Sequence, residues 1–477
     1  MTKRLLLATL FSAFLVSGFS QFTNDISFEK IKLPEYAQFS ESYLIGIFKN
    51  KGTDSLSSMD VFWQANGGPI HKYHKDNFKI RSGQTWQFTH SDKVKFDVAQ
   101  DYEVKVWVAN PNGLLDENPE NDTLYHTVQV IEKFPERKIL IEEVTGAWCG
   151  YCPRAPIIVE KYVKPYYPNA VMVAIHTGDA MAINESSSLR NTYVEGVPTG
   201  FVSRDVTRGY TNIAISPESW KGRIDDLDLE FNPVDINVYN YYYPDTREWK
   251  IDVVADFVIN SVGDYRFNIY VVEDGLTGTG SQWNQRNFFN NGASDPYMEL
   301  QGAGDPLPGY VHNHVVRKMT GGSWGKDDII PDSVKRGERY VYSETFTIPE
   351  KWNPENLHLI GMVQEYNTDK ARRPILNIEE AELTNATGTE QLIISNSIKL
   401  YPNPVADAAI LEIKTTDNED FSFEVFNSVG QSILKSDKLK VEGEKRYALN
   451  TNSWTAGIYF VKTIVGDKIE VLKLIKD

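Results

Sequence analysis

Residues 138–154, KILIEEVTGAWCGYCPR, decide how the chain is read, because they hold both of its cysteines, Cys149 and Cys152, two residues apart. The run Ile139–Val144 is short, apolar and rich in β-branched residues, which predicts a strand. Gly146 then opens a turn that brings Cys149 to the start of a helix. Unpaired backbone N–H groups and the helix dipole at that position favour thiolate over thiol, and the first cysteine of a Cys-x-x-Cys pair can fall from a pKa of about 8.5 to between about 3.5 and 7.5. Cys152 falls one turn further in, more buried and within reach to resolve a mixed disulfide. Gly150 and Tyr151 between them set the redox poise. On the incoming strand, alternation turns either Glu142 or Glu143 inward beneath the cysteines, and Glu143 is the candidate to take a proton from Cys152.

Two other readings of the pair stand beside the redox one. A disulfide across two intervening residues closes so small a loop that it constrains little, and a zinc site needs two further soft ligands that no second Cys-x-x-Cys supplies. No cofactor and no metal are expected. A second candidate element is Val197-Pro198-Thr199, a proline between apolar residues ahead of a short strand, Gly200–Ser203.

Length and charge bound the rest. At 477 residues the chain is too long for one core and divides into several domains. A formal net charge of −16, with no compensating Lys/Arg cluster, argues against nucleic acid as a partner. Residues 1–20 carry Lys3 and Arg4, an apolar run Leu5–Val16 and then Ser17, Gly18 and Ser20, which predicts a secretory signal cleaved near Ser20. No other segment reaches the roughly 20 apolar residues of a spanning helix, so no membrane span is expected. In an exported protein that could form many disulfides, two cysteines in one motif point to chemistry and not to stapling.

Residues 21–133 alternate in Tyr43–Phe48, Asp60–Trp63 and Tyr102–Val108 between turn-rich clusters, which predicts an all-β sandwich. Asp116, Glu117, Asn118, Glu120, Asn121 and Asp122 offer calcium-type oxygens but lack EF-hand spacing, and read as a solvated acidic loop. Residues 134–230 carry the cysteines, a helix over about 151–166 kinked by Pro153 and Pro156, and a strand ending at His176. They continue with a helical insertion between Gly178 and Glu195, and a helix opening at Ser216-Pro217 with Trp220, Ile224 and Leu227 on one face. His176 reads as a hydrogen-bonding residue before a proton shuttle. Residues 231–385 return to alternating β. There His312 and His314 share one strand face without an acidic or cysteine partner in spacing, and read as surface polar residues. Residues 386–396 are a polar linker, and 397–477 form a small β module from Leu400-Tyr401-Pro402-Asn403-Pro404 to Val471–Lys476.

Trp148-Cys149-Gly150-Tyr151-Cys152 with Val197-Pro198-Thr199 resembles the thioredoxin superfamily over roughly residues 136–230. EEVTGAWCGYCPRAP, VAIHTGDAM and GVPTGFV together resemble the thioredoxin-like secreted and outer-membrane proteins of bacteria that use type IX secretion. The resemblance implies an α/β thioredoxin-like domain flanked by all-β sandwich domains, a cis Pro198 facing the cysteines, and Glu143 as the buried acidic residue. Residues 21–133 weakly resemble a bacterial adhesion-related sandwich, and 231–385 the companion region of the same secreted proteins. Residues 397–477 resemble the type IX C-terminal sorting domain. The expected function is an exported thiol–disulfide oxidoreductase, oxidase or isomerase in type, acting on thiols and disulfides of secreted or surface proteins. Cys149 attacks, Cys152 resolves, Glu143 accepts a proton and Pro198 shapes the groove. The competing expectation is a surface binding or adhesion protein with an idle disulfide. Either places the protein outside the outer membrane, exported through the periplasm, with the type IX machinery as a partner.

Overall fold

Alternation of apolar and polar residues builds the first unit. The computed structural model describes residues 22–206, 210–386, 397–466 and 468–477, so the expected signal peptide and nearly all of the expected linker lie outside the described residues. By compactness the chain divides into residues 1–134 and 135–477. In the first unit, strands β1 (Ile26–Lys32), β2 (Ser40–Asn50), β3 (Met59–Ala65), β4 (His71–Lys75), β5 (Thr85–Phe96), β6 (Asp101–Ala109) and β7 (Thr123–Val130) form two sheets. One has the order β1-β2-β5; the other runs β7-β6-β3-β4, with Tyr36–Ala37 added at the β7 edge. Along β6 the even-numbered residues Tyr102 to Val108 are buried and face Phe48, Val61, Trp63, Phe88 and Val128 in one core. One buried face per sheet and short antiparallel connections give the sandwich its shape.

The second unit departs from the expectation of an α/β domain between two sandwiches. Its first strands are β8 (Leu140–Thr145), β9 (Val171–His176) and β10 (Thr199–Val202), with helices α1 (Arg154–Ile158), α2 (Asn184–Tyr193) and α3 (Trp220–Leu227). Downstream come β11 (Val234–Tyr243), β12 (Glu248–Phe257), β13 (Asp264–Glu273), β14 (Val315–Met319), β15 (Arg339–Thr347), β16 (Leu357–Tyr366) and β17 (Ile375–Glu382). A single seven-stranded sheet runs β10-β8-β9-β14-β13-β16-β17. The cysteine-bearing segment is therefore one side of a largely β unit and not a separate α/β domain. The reason is burial: every residue of β8 and of β9 is buried. The outer edge of β9 must be covered, and β14 covers it, with Ala174 opposite Val315. One core lies between this sheet at β13 and β16 and the smaller sheet β11-β12-β15, and includes Val253, Trp249, Phe267, Leu359 and Val363.

The helices are short. Only five residues of α1 are α-helical; the next five, Val159–Val163, widen into a π turn. α3 buries Trp220, Ile224 and Leu227 against Ile139, Ile141 and Val159. Among the described residues, no helix is long and apolar enough to cross a membrane.

The C-terminal residues form β18 (Ser397–Tyr401), β19 (Ala408–Asn427), β20 (Ser432–Lys435), β21 (Leu439–Asn450), β22 (Gly457–Val465) and β23 (Lys468–Lys476). They make one sheet in the order β18-β19-β22-β23, with β20 and β21 also pairing to the long β19. Val405, Leu411, Phe421, Val425, Leu449, Val461 and Leu474 form its own core.

Candidate functional site: a covered disulfide turn

At the end of β8 the chain turns through Gly146, where a side chain would strike the Trp148 indole and the Thr177 carbonyl. Trp148 Nε1 donates to that Thr177 carbonyl at 2.6 Å. Asp179 fixes the other side of the turn: its Oδ2 accepts from the Ala147 N–H at 2.8 Å and lies 2.7 Å from His176 Nδ1. Burial alone would raise the Asp179 pKa, but these bonds outweigh it and the carboxyl titrates low. His176 thus ends its strand on a hydrogen bond.

Cys149 and Cys152 are joined as a disulfide with Cα atoms 5.4 Å apart. Both lie in the turn before α1, whose first residue is Arg154. The helix expected over about 151–166 runs Arg154–Val163, first α and then π, so Cys149 stands five residues ahead of its first residue and not at its start. The Cys149 N–H instead donates to the Gly146 carbonyl at 2.9 Å, and the Cys152 N–H to the Cys149 carbonyl at 3.3 Å.

Glu142 and Glu143 both become buried, on opposite faces of β8. Glu142 meets Arg204, which donates from Nε and Nη2 at 2.7 and 2.6 Å, and the Tyr270 hydroxyl at 2.9 Å. Arg204 is fully buried and in the left-handed region, and its Nη1 also reaches the Ser323 carbonyl at 3.0 Å. Sequence reading missed this partner, although a buried carboxylate is either paired with a cation or held protonated, and the two glutamates of β8 take one course each. Glu143 shares the face of Ile139 and Ile141, which the helices cover. Its Oε1 has no hydrogen-bond partner. Burial pushes its pKa up to about 8, against the Thr145 hydrogen bond and the Arg154 charge. Val197–Pro198 is cis, and β10 pairs antiparallel to β8 with Thr199 opposite Val144, which sets Pro198 level with the end of β8 where the turn begins.

A cover over the turn is the feature that sequence reading did not anticipate. The segment after β13 returns across it: the Arg286 N–H donates to the Ala147 carbonyl at 2.8 Å, the Phe288 N–H to the Gly150 carbonyl at 2.9 Å, and Gln285 Nε2 to the Cys149 carbonyl at 2.8 Å. Phe288 lies on Gly150 so closely that a Cβ there would come within 2.3 Å of the ring. The cover is itself braced, since Asp305 clamps Arg286 at 2.7 and 2.8 Å and Asn287 Nδ2 donates to the Leu300 and Gly304 carbonyls. Cys149 is left 5% exposed and Cys152 2%. Trp148, Tyr151 and Phe288 remain exposed around them, with the Tyr151 and Phe288 rings edge-to-face at 5.2 Å.

The histidines behave differently from the expected pair on one strand face. His314 has φ of 58° just before β14, so the backbone reverses the alternation there. His312 is buried, with Nε2 2.9 Å from the Trp283 carbonyl and its ring 5.3 Å from that of His176. In the first unit, the acidic loop is not simply solvated. Asp116 accepts from the Ile26 and Asn118 N–H groups, and Asn121 donates to Asp25. Asp122 is buried, and burial, then the Asp116 and Asp25 charges, push its pKa up to about 8.

Comparison with known proteins bears on the outer parts of this picture. Among solved structures the chain is similar to HBP35 of Porphyromonas gingivalis, 20% identical over 72% of this chain and 98% of that one, with a TM-score of 0.41. It is also similar to a domain of the outer membrane lipoprotein Omp28 of Porphyromonas gingivalis, 15% identical over 34% and 95%, TM-score 0.20. A third is the CARDB domain of the PF1109 protein of Pyrococcus furiosus in complex with di-metal ions, 18% identical over 24% and 97%, TM-score 0.20. No curated protein matches the chain. Residues 185–386 match the outer membrane protein Omp28 family, and residues 399–477 match the secretion system C-terminal sorting domain, the address of type IX export. The protein is thus a secreted or cell-surface protein with an Omp28-type region and a type IX sorting tail.

Proposed function

We propose that this is a surface-displayed binding protein in which the Cys149–Cys152 turn is a covered, rigid platform. The observation that supports the reading is the cover itself, three hydrogen bonds from residues 285–288 onto residues 147–150. Thiol–disulfide exchange requires a thiolate to approach a sulfur in line, so a disulfide this buried waits on the cover opening. What the turn offers in the closed state is an aromatic surface of Trp148, Tyr151 and Phe288. Aromatic side chains with apolar bodies and polar tips are enriched where proteins meet partners.

One observation favours a second reading, exchange with the thiols of secreted or surface proteins once the cover opens. Glu143 Oε1 is buried and unpartnered, and a carboxyl titrating near 8 is matched to a thiol for proton transfer. In that reading Cys149 forms the mixed disulfide, Cys152 resolves it, Glu143 exchanges the Cys152 proton and Pro198 shapes the groove.

A single assay separates them. The oxidised mature protein is mixed with an excess of a reduced dithiol peptide, with glutathione disulfide as terminal oxidant, and formation of the peptide disulfide, with release of two glutathione thiols per disulfide, is followed in time. The binding reading expects no acceleration over glutathione disulfide alone. Multiple turnovers that vanish in Cys149→Ser, with mixed disulfides trapped in Cys152→Ser, would replace it by the exchange reading.

A further inference from the structure

The sheet brings three metal-type donors together at one end, and none of them belongs to the disulfide turn. β13 lies between β14 and β16, with Glu273 opposite both Val315 and Leu357. The next residue, Asp274, therefore emerges between His314, which precedes β14, and His358, the second residue of β16. We propose that Asp274, His314 and His358 bind a divalent transition-metal cation of the zinc class.

The donors are held before any ion arrives. The His314 N–H donates to Asp274 Oδ1 at 2.5 Å, and Asn356 takes both backbone groups of Asp274, its Nδ2 donating to the carbonyl at 3.1 Å and its carbonyl accepting the N–H at 3.0 Å. The left-handed backbone at His314 turns its ring out of the strand alternation. Its Nδ1 lies 3.4 Å from Asp274 Oδ1, and His358 Nδ1 lies 3.8 Å from Asp274 Oδ2. Both separations are longer than an ordinary hydrogen bond. They are close to the spacing of about 3.3 Å between donors of a tetrahedral shell with bonds of about 2.0–2.1 Å. Among the described residues, this is the one group of three His, Cys, Asp or Glu side chains whose ligand atoms all lie within 4.8 Å of one another.

The surroundings suit a cation. His358 is buried, and its other ring nitrogen, Nε2, has no hydrogen bond but faces Glu380 Oε1 at 3.4 Å. A carboxylate behind a ligating imidazole fixes its tautomer and raises its basicity, leaving the opposite nitrogen to the metal. Two neutral imidazoles with Asp274 and Glu380 offset the two positive charges of the ion. Imidazole with carboxylate selects zinc-like ions over calcium or magnesium. Three protein donors leave a coordination position open to water, and His314 is exposed enough for an ion to enter.

The test is calorimetric titration of the chelator-treated, oxidised mature protein with zinc chloride, oxidised so that the cysteines take no part. One equivalent is expected to bind. His314→Asn, which keeps a residue tolerant of the left-handed backbone, should abolish that equivalent, and Glu380→Gln should weaken it about 10–100-fold. His74→Ala, in the first unit, should leave it intact. Absence of zinc uptake by the folded protein overturns the proposal. So does uptake unchanged in His314→Asn, or uptake lost only in His74→Ala. A circular-dichroism spectrum shared by all variants keeps misfolding from mimicking the expected loss.

Discussion

Replacing Glu143 by glutamine should remove a defined pH dependence from the stability of the second unit. Glu143 is 3% exposed with Oε1 unpartnered, and its pKa in the fold is about 8, whereas in the unfolded chain it is about 4.3. The folded value is the higher one, so the folded state keeps a proton that the unfolded state has released. The contribution is then fully present below pH about 4.3 and is lost as the pH rises through 8. Between those limits the slope is about 1.4 kcal/mol per pH unit, so by pH 7 the wild type has lost on the order of 3–4 kcal/mol to this one carboxyl. Glutamine has nearly the same shape and no charge to bury. The stability of Glu143→Gln relative to wild type should therefore climb by that amount from pH 4.5 to pH 7 and level off above 8. Urea unfolding followed by tryptophan fluorescence at half-unit intervals from pH 4.5 to 9 measures it, using the transition that the substitution moves, since a chain of several units does not unfold in one step. Every other titrating group is common to both proteins and cancels in the difference. Parallel curves for wild type and Glu143→Gln across this range would refute the assignment of Glu143 as a buried acid that holds its proton.

Asp122→Asn should flatten the pH dependence of the first unit with the same sign, because Asp122 also titrates near 8 in the fold; retained loss of stability from pH 5 to 8 in the variant would count against it. Arg204→Met should destabilise by about 3–5 kcal/mol by leaving Glu142 buried without its cation, and chemical denaturation showing under about 1 kcal/mol would mean that the pair contributes nothing. Gly150→Ala should push Phe288 aside at a cost of about 1–3 kcal/mol and speed reduction of the disulfide by dithiothreitol; an unchanged reduction rate would show that the cover does not control access. Deleting residues 397–477 should leave the folded remainder in the periplasm, and fractionation that finds it at the surface in normal amount would separate export from this module.

What could be read from the sequence follows the range of the interactions. The first unit was legible because Tyr102–Val108 alternates strictly, and a half-buried antiparallel strand writes its register into consecutive residues. The turn was legible for the same local reason: strand, Gly146 and Cys149-Gly150-Tyr151-Cys152 lie within a dozen residues, and both glutamates had to be faced somewhere. The fold class was misread because continuous apolar runs such as β8 and β9 state that both faces are covered without stating by what. The partner that extends their sheet, β14, arrives about 140 residues after β9 begins, and no periodicity links them. α1 and its π turn do connect the parallel pair β8 and β9 as the local pattern suggests, but that one crossover is continued by antiparallel strands from residues 264–382, which the pattern does not announce. The cover was illegible for a different reason. It binds the turn mostly through backbone N–H and carbonyl groups, which every sequence has, so its one trace is the glycine at 150 under Phe288. The same holds for Asp274: His314 looked unpartnered because its carboxylate lies 40 residues upstream, and only antiparallel pairing of β13 with β14 makes the two adjacent. Contacts made between segments distant in sequence are therefore the part of this protein that a residue-by-residue reading was least able to reach, and both the cover on the disulfide and the histidine cluster are of that kind.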